Sequence, residues 1–155
     1  MITAHAHSQV SGEGGPIRVK ADTSEVLDKD RKVILSNNVD ITQGDARLRA
    51  DKVVLAYAGT GAAGSGMTGF GDIDTMTATG DVFYVTTDLK ATGDVGVYDA
   101  KSDTITLRGN VVLLRGEDVA KGERLTMQLT AGKTVLDGGS SQVNMVITPS
   151  NNNGR

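Results

Sequence analysis

A single-domain, all-β protein of repeated short antiparallel strands is the fold class this sequence predicts, on three observations. One phrase, a small or polar pair followed by a strand pattern, occurs three times. The copies are Ser36-Asn37-Asn38-Val39-Asp40-Ile41, Thr79-Gly80-Asp81-Val82-Phe83-Tyr84 and Arg108-Gly109-Asn110-Val111-Val112-Leu113. The first and third stand 72 residues apart, and the match extends on both sides: Val33 and Leu35 with Ile105 and Leu107, Gly44 with Gly116, Asp51-Lys52-Val53 with Glu123-Arg124-Leu125. A repeat of this kind points to a stacked sheet. The second observation is composition: 20 glycines in 155 residues, among many Val, Ile, Leu and Thr, favour strands joined by tight turns. The third is periodicity: apolar and polar residues alternate, and no stretch carries a helical period.

Taken in order, residues 1–15 read as a flexible N-terminal arm ending in Gly14-Gly15-Pro16. Strands are predicted over 17–21 and 24–27, with Asp28-Lys29-Asp30 as a polar turn. The first module continues with strands 31–35, 38–42, 46–50 and 52–57, Ser36-Asn37 separating the first two. Residues 58–72 form a glycine-rich loop. The second module holds 73–78, 81–86, 89–92 and 95–98, and the third 104–108, 110–115, 118–122 and 124–130. Strands at 133–136 and 142–148 close the domain at residue 149, and 150–155 form a polar tail.

Alternate residues of a strand point to opposite faces. One parity collects Val33, Leu35, Val39 and Ile41, then Ile105, Leu107, Val111 and Leu113, then Leu125 and Met127; Met76 and Val82 join them from the second module, where Val82, Phe83, Tyr84 and Val85 run apolar on both faces and parity does not decide. These twelve are the predicted interior. They read either as plain core or, in a sheet that fails to close, as the lining of a lengthwise groove. Aliphatic walls suit acyl chains, which bind by burial worth about 0.8 kcal/mol per methylene.

Several function classes are excluded. A net charge of −3, with both signs interspersed, gives no basic stripe for nucleic acid. The chain has no cysteine, so neither disulfides nor thiolate metal sites arise. No apolar run is long enough to span a membrane as a helix. The first ten residues lack the apolar core of a signal peptide, while Ala4-His5-Ala6 has the shape of a cleavage site. That triplet fits a chance match or the mature end of an exported protein. Gly59-Thr60-Gly61-Ala62-Ala63-Gly64 matches a dinucleotide fingerprint, but the glycines after it preclude the required helix. Gly132-Lys133-Thr134 lacks the earlier glycine of a phosphate loop and reads as a turn. His5 and His7 are the only histidines, in the arm, with no third ligand nearby. No acid, base and oxyanion group assemble, so neither catalysis nor a cofactor nor a metal is expected.

The segments 16–22, 33–44 and 48–55, with Ala120-Lys121-Gly122-Glu123-Arg124-Leu125-Thr126 and a last strand ending in Thr148-Pro149, resemble the OstA-like/LptA family of lipopolysaccharide-transport proteins. The resemblance covers residues 16–149. It implies a slightly twisted β-jellyroll, open at both ends, in the periplasm. It implies binding of lipopolysaccharide with the lipid A acyl chains along the interior. It also implies head-to-tail self-association, and strand-edge pairing with LptC-like and LptD-like jellyroll domains. Lipid A phosphates would need cations near a groove mouth; Arg18, Lys20, Arg31, Arg47 and Arg49 are available, or are simply solvated strand faces. Three rival readings remain: an LptC- or LptD-type fragment of the same pathway, a polymerising β-solenoid without a lipid ligand, and an enzyme or sugar-binding jellyroll, against which the scarcity of histidine and the lack of tryptophan count.

Overall fold

All three copies of the repeated phrase fold into the same backbone device. Asn37 and Asn38 have φ of 69° and 55°, Gly80 and Asp81 of 86° and 50°, Gly109 and Asn110 of 85° and 50°. Two successive left-handed residues insert one extra residue into a strand and bend it, as a β-bulge does. The chain does not reverse there. The structure, a computed structural model, describes residues 16–57 and 73–149 and shows ten strands and no helix among them. They are β1 (Arg18–Lys20), β2 (Thr23–Leu27), β3 (Lys32–Gln43), β4 (Ala46–Tyr57), β5 (Ile73–Val85), β6 (Lys90–Asp99), β7 (Thr104–Arg115), β8 (Asp118–Gln128), β9 (Lys133–Asp137) and β10 (Asn144–Val146). The predicted short strands are thus corrected in one respect. Pairs of them fuse into strands of 10 to 13 residues, because the ladder resumes after each bend. The last predicted strand shrinks to three residues.

Register explains why the bends line up. Between Ser36 and Val39, β3 advances three residues while β4 moves only from Lys52 to Ala50. β5 does the same against β6, and β7 against β8. Opposite each bend the even-numbered strand presents two successive outward residues, Asp51-Lys52, Asp94-Val95 and Glu123-Arg124. Its inward parity therefore switches: Ala46, Leu48 and Ala50 before the bend in β4, Val53 and Leu55 after it. The bends form one fold line across the sheet and divide it into two leaves. Leaf 1 holds 39–43, 46–50, 82–85, 90–93, 111–115 and 118–122, edged by β1 and β10. Leaf 2 holds 32–36, 52–57, 73–79, 95–99, 104–108 and 124–128, edged by β2 and β9. The sheet order runs from β1 through β3 to β8 and then β10 without closing. This is an open antiparallel β-jellyroll.

An acidic side chain sits on each bend. Asn38 Nδ2 donates to Asp22 Oδ2 at 2.9 Å, and Asn110 Nδ2 to Asp94 Oδ2 at 3.1 Å. Asp51 lies against Gly80 and Asp94 against Gly109, where any Cβ would collide with the carboxylate. At the hairpin tips, Gly44 and Gly116 share φ near 60° and stand at the same 72-residue offset as the outer copies of the phrase. Neighbouring tips are laced together. Thr87 donates both its N–H (3.1 Å) and its hydroxyl (2.8 Å) to Asp45, and Tyr98 OH and the Thr130 hydroxyl both donate to Asp103. The arm, the glycine-rich loop, the fingerprint at Gly59–Gly64, both histidines and the tail lie outside the described residues.

Candidate functional site

Inward side chains of the two leaves meet to form the buried hydrophobic core. Of the twelve predicted interior residues, Val33, Leu35, Val39, Ile41, Met76 and Val82 are buried, as are Ile105, Leu107, Val111, Leu125 and Met127. Leu113 is half-buried and packs against that cluster. The structure adds residues that parity alone did not reach: Leu48, Val53 and Leu55 from β4, Ile73 and Tyr84 from β5, Tyr98 from β6. In β4 and β6 the inward sets include Ala46, Ala50, Ala91, Gly93 and Gly96, so hydrophobic alternation is faint there. The small residues make room for larger neighbours. A Cβ on Gly96 would lie 2.9 Å from Leu107 Cδ2 and 3.1 Å from Val82 Cγ1.

Near the fold line the leaves are in contact. A cavity of about 20 Å³ remains, walled by Leu48 and Tyr84 from leaf 1 and by Met76, Tyr98, Ile105 and Leu107 from leaf 2. Towards the hairpin tips they diverge into a cleft of about 890 Å³. Tyr84, Leu89, Met127 and Leu129 give it an apolar floor, and Asp45, Asp88 and Arg115 stand at its rim. The interior is thus narrow at the fold line and wide at the lips.

Tyr84 is 3% exposed at the base of this cleft. Burial, with the charges of Asp45 and Asp103 adding, pushes its phenol up to about 12. The hydrogen bonds from Thr87 hold Asp45 below the usual carboxylate range. Because the folded state favours the neutral phenol, Tyr84's contribution is fully present below pH 10 and is lost as pH rises towards 12. Over that window the loss is about 2–3 kcal/mol. Urea denaturation at stepped alkaline pH should show it, and Tyr84→Phe should remove this share of the slope. An equal slope in the variant would contradict the assignment.

None of the basic residues considered for a groove mouth lines this cleft. Arg18, Lys20, Arg47 and Arg49 project from the outer face of leaf 1, and Arg31 occupies the β2–β3 turn with φ 56°. Arg47 forms a two-pronged pair with Asp40, at 2.9 and 2.6 Å, which holds the Asp40 carboxyl low. Arg115, which the sequence reading did not single out, is the cation that lines the cleft. No group of three or more His, Cys, Asp or Glu among the described residues could hold a metal ion. What the arrangement can do is bury an apolar ligand, with charged groups at the entrance and Gln43, Tyr84 and Tyr98 as the polar members of the buried set.

An open, two-leaved β-jellyroll with an aliphatic interior is the class that fold and site define. The family model described as "LptA/(LptD N-terminal domain) LPS transport protein" matches residues 18–133, and the chain belongs to that family. It is 33% identical over 135 residues to an uncharacterized protein of Rhizobium meliloti (strain 1021), spanning 86% of this chain and 72% of that one. Among solved structures it is similar to LptH of Pseudomonas aeruginosa, described as the LptA-homologous periplasmic component of the lipopolysaccharide transport device. The TM-score is 0.72 at 21% identity, covering 86% of this chain and 96% of that one, a likeness of fold.

Proposed function

We propose that this protein is a non-enzymatic periplasmic carrier that shields the acyl chains of lipid A between its two leaves and passes lipopolysaccharide from inner-membrane to outer-membrane components. One observation carries the reading: aliphatic side chains of both leaves face each other, and the space between them widens into the cleft at the lips. Acyl chains entering there would displace little ordered polar contact and would gain about 0.8 kcal/mol per buried methylene. Filling the narrow part requires the leaves to part, and the open sheet order lets them do so without breaking a ladder.

The ends of the sheet support head-to-tail assembly and pairing with LptC-like and LptD-like jellyrolls. β1 and β2 stand at one end, β9 and β10 at the other, each paired on one side only. Beside the second end Met145 is 59% exposed, and Val146 and Ile147 are each 65% exposed. Unpaired edges recruit further strands, and a head-to-tail contact propagates.

Calorimetric titration tests the ligand class. Lipid A should bind with a negative heat-capacity change, because apolar surface is buried. Core oligosaccharide stripped of its acyl chains should give no binding heat. Oligosaccharide binding as strong as that of lipid A would refute the groove reading.

A further inference from the structure

The two outer faces of the jellyroll differ in their balance of charge. Leaf 2 turns out threonines (Thr77, Thr79, Thr106 and Thr126), aliphatic side chains (Ile34, Val54, Val97 and Val135) and the cations Lys32, Lys52, Arg108, Arg124 and Lys133, which the carboxylates Glu25, Asp99 and Asp137 partly offset. Leaf 1 turns out cations and apolar side chains. The register sets them in two rows. One row reads Lys20, Asp40, Arg49, Phe83, Thr92, Val112 and Lys121 across the strands. The next brings Arg18, Thr42, Arg47, Val85, Lys90, Leu114 and Val119 into line.

Two properties of this face stand out. Its cations are Arg18, Lys20, Arg47, Arg49, Lys90 and Lys121, and its only carboxylate is Asp40, on a chain whose net charge is −3. Its apolar members stay half-exposed in two groups, Phe83 and Val85 on β5, and Val112, Leu114 and Val119 on β7 and β8, with Thr92 and Lys90 of β6 between them. Four of the cations gather on β1 and β4, while Lys90 stands between the two apolar groups and Lys121 beside Val112. Lys90 Nζ hangs 5.8 Å from the Phe83 ring centroid, an aromatic–cation pair held at the surface. Carboxylates occur only at the borders. Asp22, Asp51, Asp81, Asp94 and Glu123 stand on the fold line, and Asp45, Asp88 and Glu117 at the tips. Eight strands at their usual spacing make the face about 34 Å wide.

A face that joins a basic half to a half of apolar side chains interspersed with lysines complements an anionic lipid surface. The cations would meet phosphates, and Phe83 with its aliphatic neighbours would enter the boundary between headgroups and acyl chains. We propose that the outer face of leaf 1 is a peripheral membrane-docking surface, which holds the protein against anionic lipid while the interior and both sheet edges stay free. It is a separate site from the groove, on the opposite side of the same strands.

Vesicle flotation with the whole protein tests the proposal. The probes are vesicles of phosphatidylcholine alone and of phosphatidylcholine mixed equally with phosphatidylglycerol. The wild type should float with the mixed vesicles and not with the neutral ones, and added salt should release it. Each cation removed should weaken binding about fivefold. Lys20→Gln with Arg49→Gln should therefore lower it more than tenfold, and Lys20→Glu with Arg49→Glu should abolish it. Phe83→Ser should weaken binding without changing its salt dependence. All three variants alter exposed or half-exposed residues, and each should keep the wild-type melting temperature and lipid A titration. No flotation of the wild type, or flotation that survives the paired Glu variant, would overturn the docking surface. Neither result bears on the groove, which the lipid A titration tests by itself.

Discussion

Gly109→Val is expected to destabilise the protein by about 3 kcal/mol, a large share of a typical domain's stability. Gly109 has φ +85°, and a Cβ there would lie 2.5 Å from Asp94 Oδ2 and 2.9 Å from Asp94 Cβ. Two costs combine. A β-branched residue in the left-handed region costs about 1–2 kcal/mol, and relieving the overlap with Asp94 costs about 1–3 kcal/mol more. In a chain of this size that corresponds to a fall in melting temperature of about 10 °C. Circular dichroism against temperature reads it directly. Adding Asp94→Gly should return most of the overlap cost and leave the dihedral cost. If the double variant is no more stable than Gly109→Val alone, the seating of an acid on each bend is not what fixes the fold line. Asn110→Gly is the companion control. It keeps a residue that tolerates φ +50° and loses one exposed side-chain bond to Asp94, so it should cost no more than about 1 kcal/mol.

Leu107→Ala is expected to cost about 3–4 kcal/mol in urea denaturation. Leu107 is 0% exposed, its Cδ2 fills the place of a side chain at Gly96, and it borders the cavity of about 20 Å³ between the leaves. Truncation removes transfer energy and enlarges a void in a part of the core already built around a glycine. Thr106→Ala, one residue away on the outer face of leaf 2, should shift stability by no more than about 0.5 kcal/mol. The two readouts should then part company. Widening the space between the leaves leaves the apolar walls continuous, so lipid A titration should still give binding heat while stability falls. Loss of binding heat with retained stability would mean that Leu107 acts as a specific ligand contact, contrary to a groove that binds by area.

Residues such as Val33, Leu35, Ile105 and Leu107 were legible because β3 and β7 keep one inward parity straight through their bends. The bends themselves were legible as backbone events but not as bends. Two successive left-handed residues are also the signature of a two-residue hairpin turn. Gly109-Asn110 therefore reads locally like a chain reversal. What distinguishes the two is the neighbouring strand, where Glu123-Arg124 and Asp94-Val95 turn outward at the same level. That information is spread over strands far apart in sequence. A trace of it exists: Asp22 precedes Asn38 by 16 residues, and Asp94 precedes Asn110 by the same interval. The interior share of β4 and β6 was hidden for another reason. Ala50, Ala91, Gly93 and Gly96 line the inside by being small, and a hydrophobic pattern does not register them. The lips were the least legible part. Arg115, Asp45 and residues 86–89 come together only because tips of successive hairpins stack. Sequence parity did carry Arg47 and Arg49 to the outer face, where they stand.

The central claim is that the space between the leaves holds the acyl chains. Photo-crosslinking tests it most directly. A photoreactive residue is placed in turn at Leu35, Val39, Leu107 and Met127, which face inward, and at Lys32 and Thr106, which face outward. The protein is then irradiated with lipopolysaccharide. Adducts at the inward positions and none at Lys32 or Thr106 are predicted. Adducts confined to the outward positions would contradict the account.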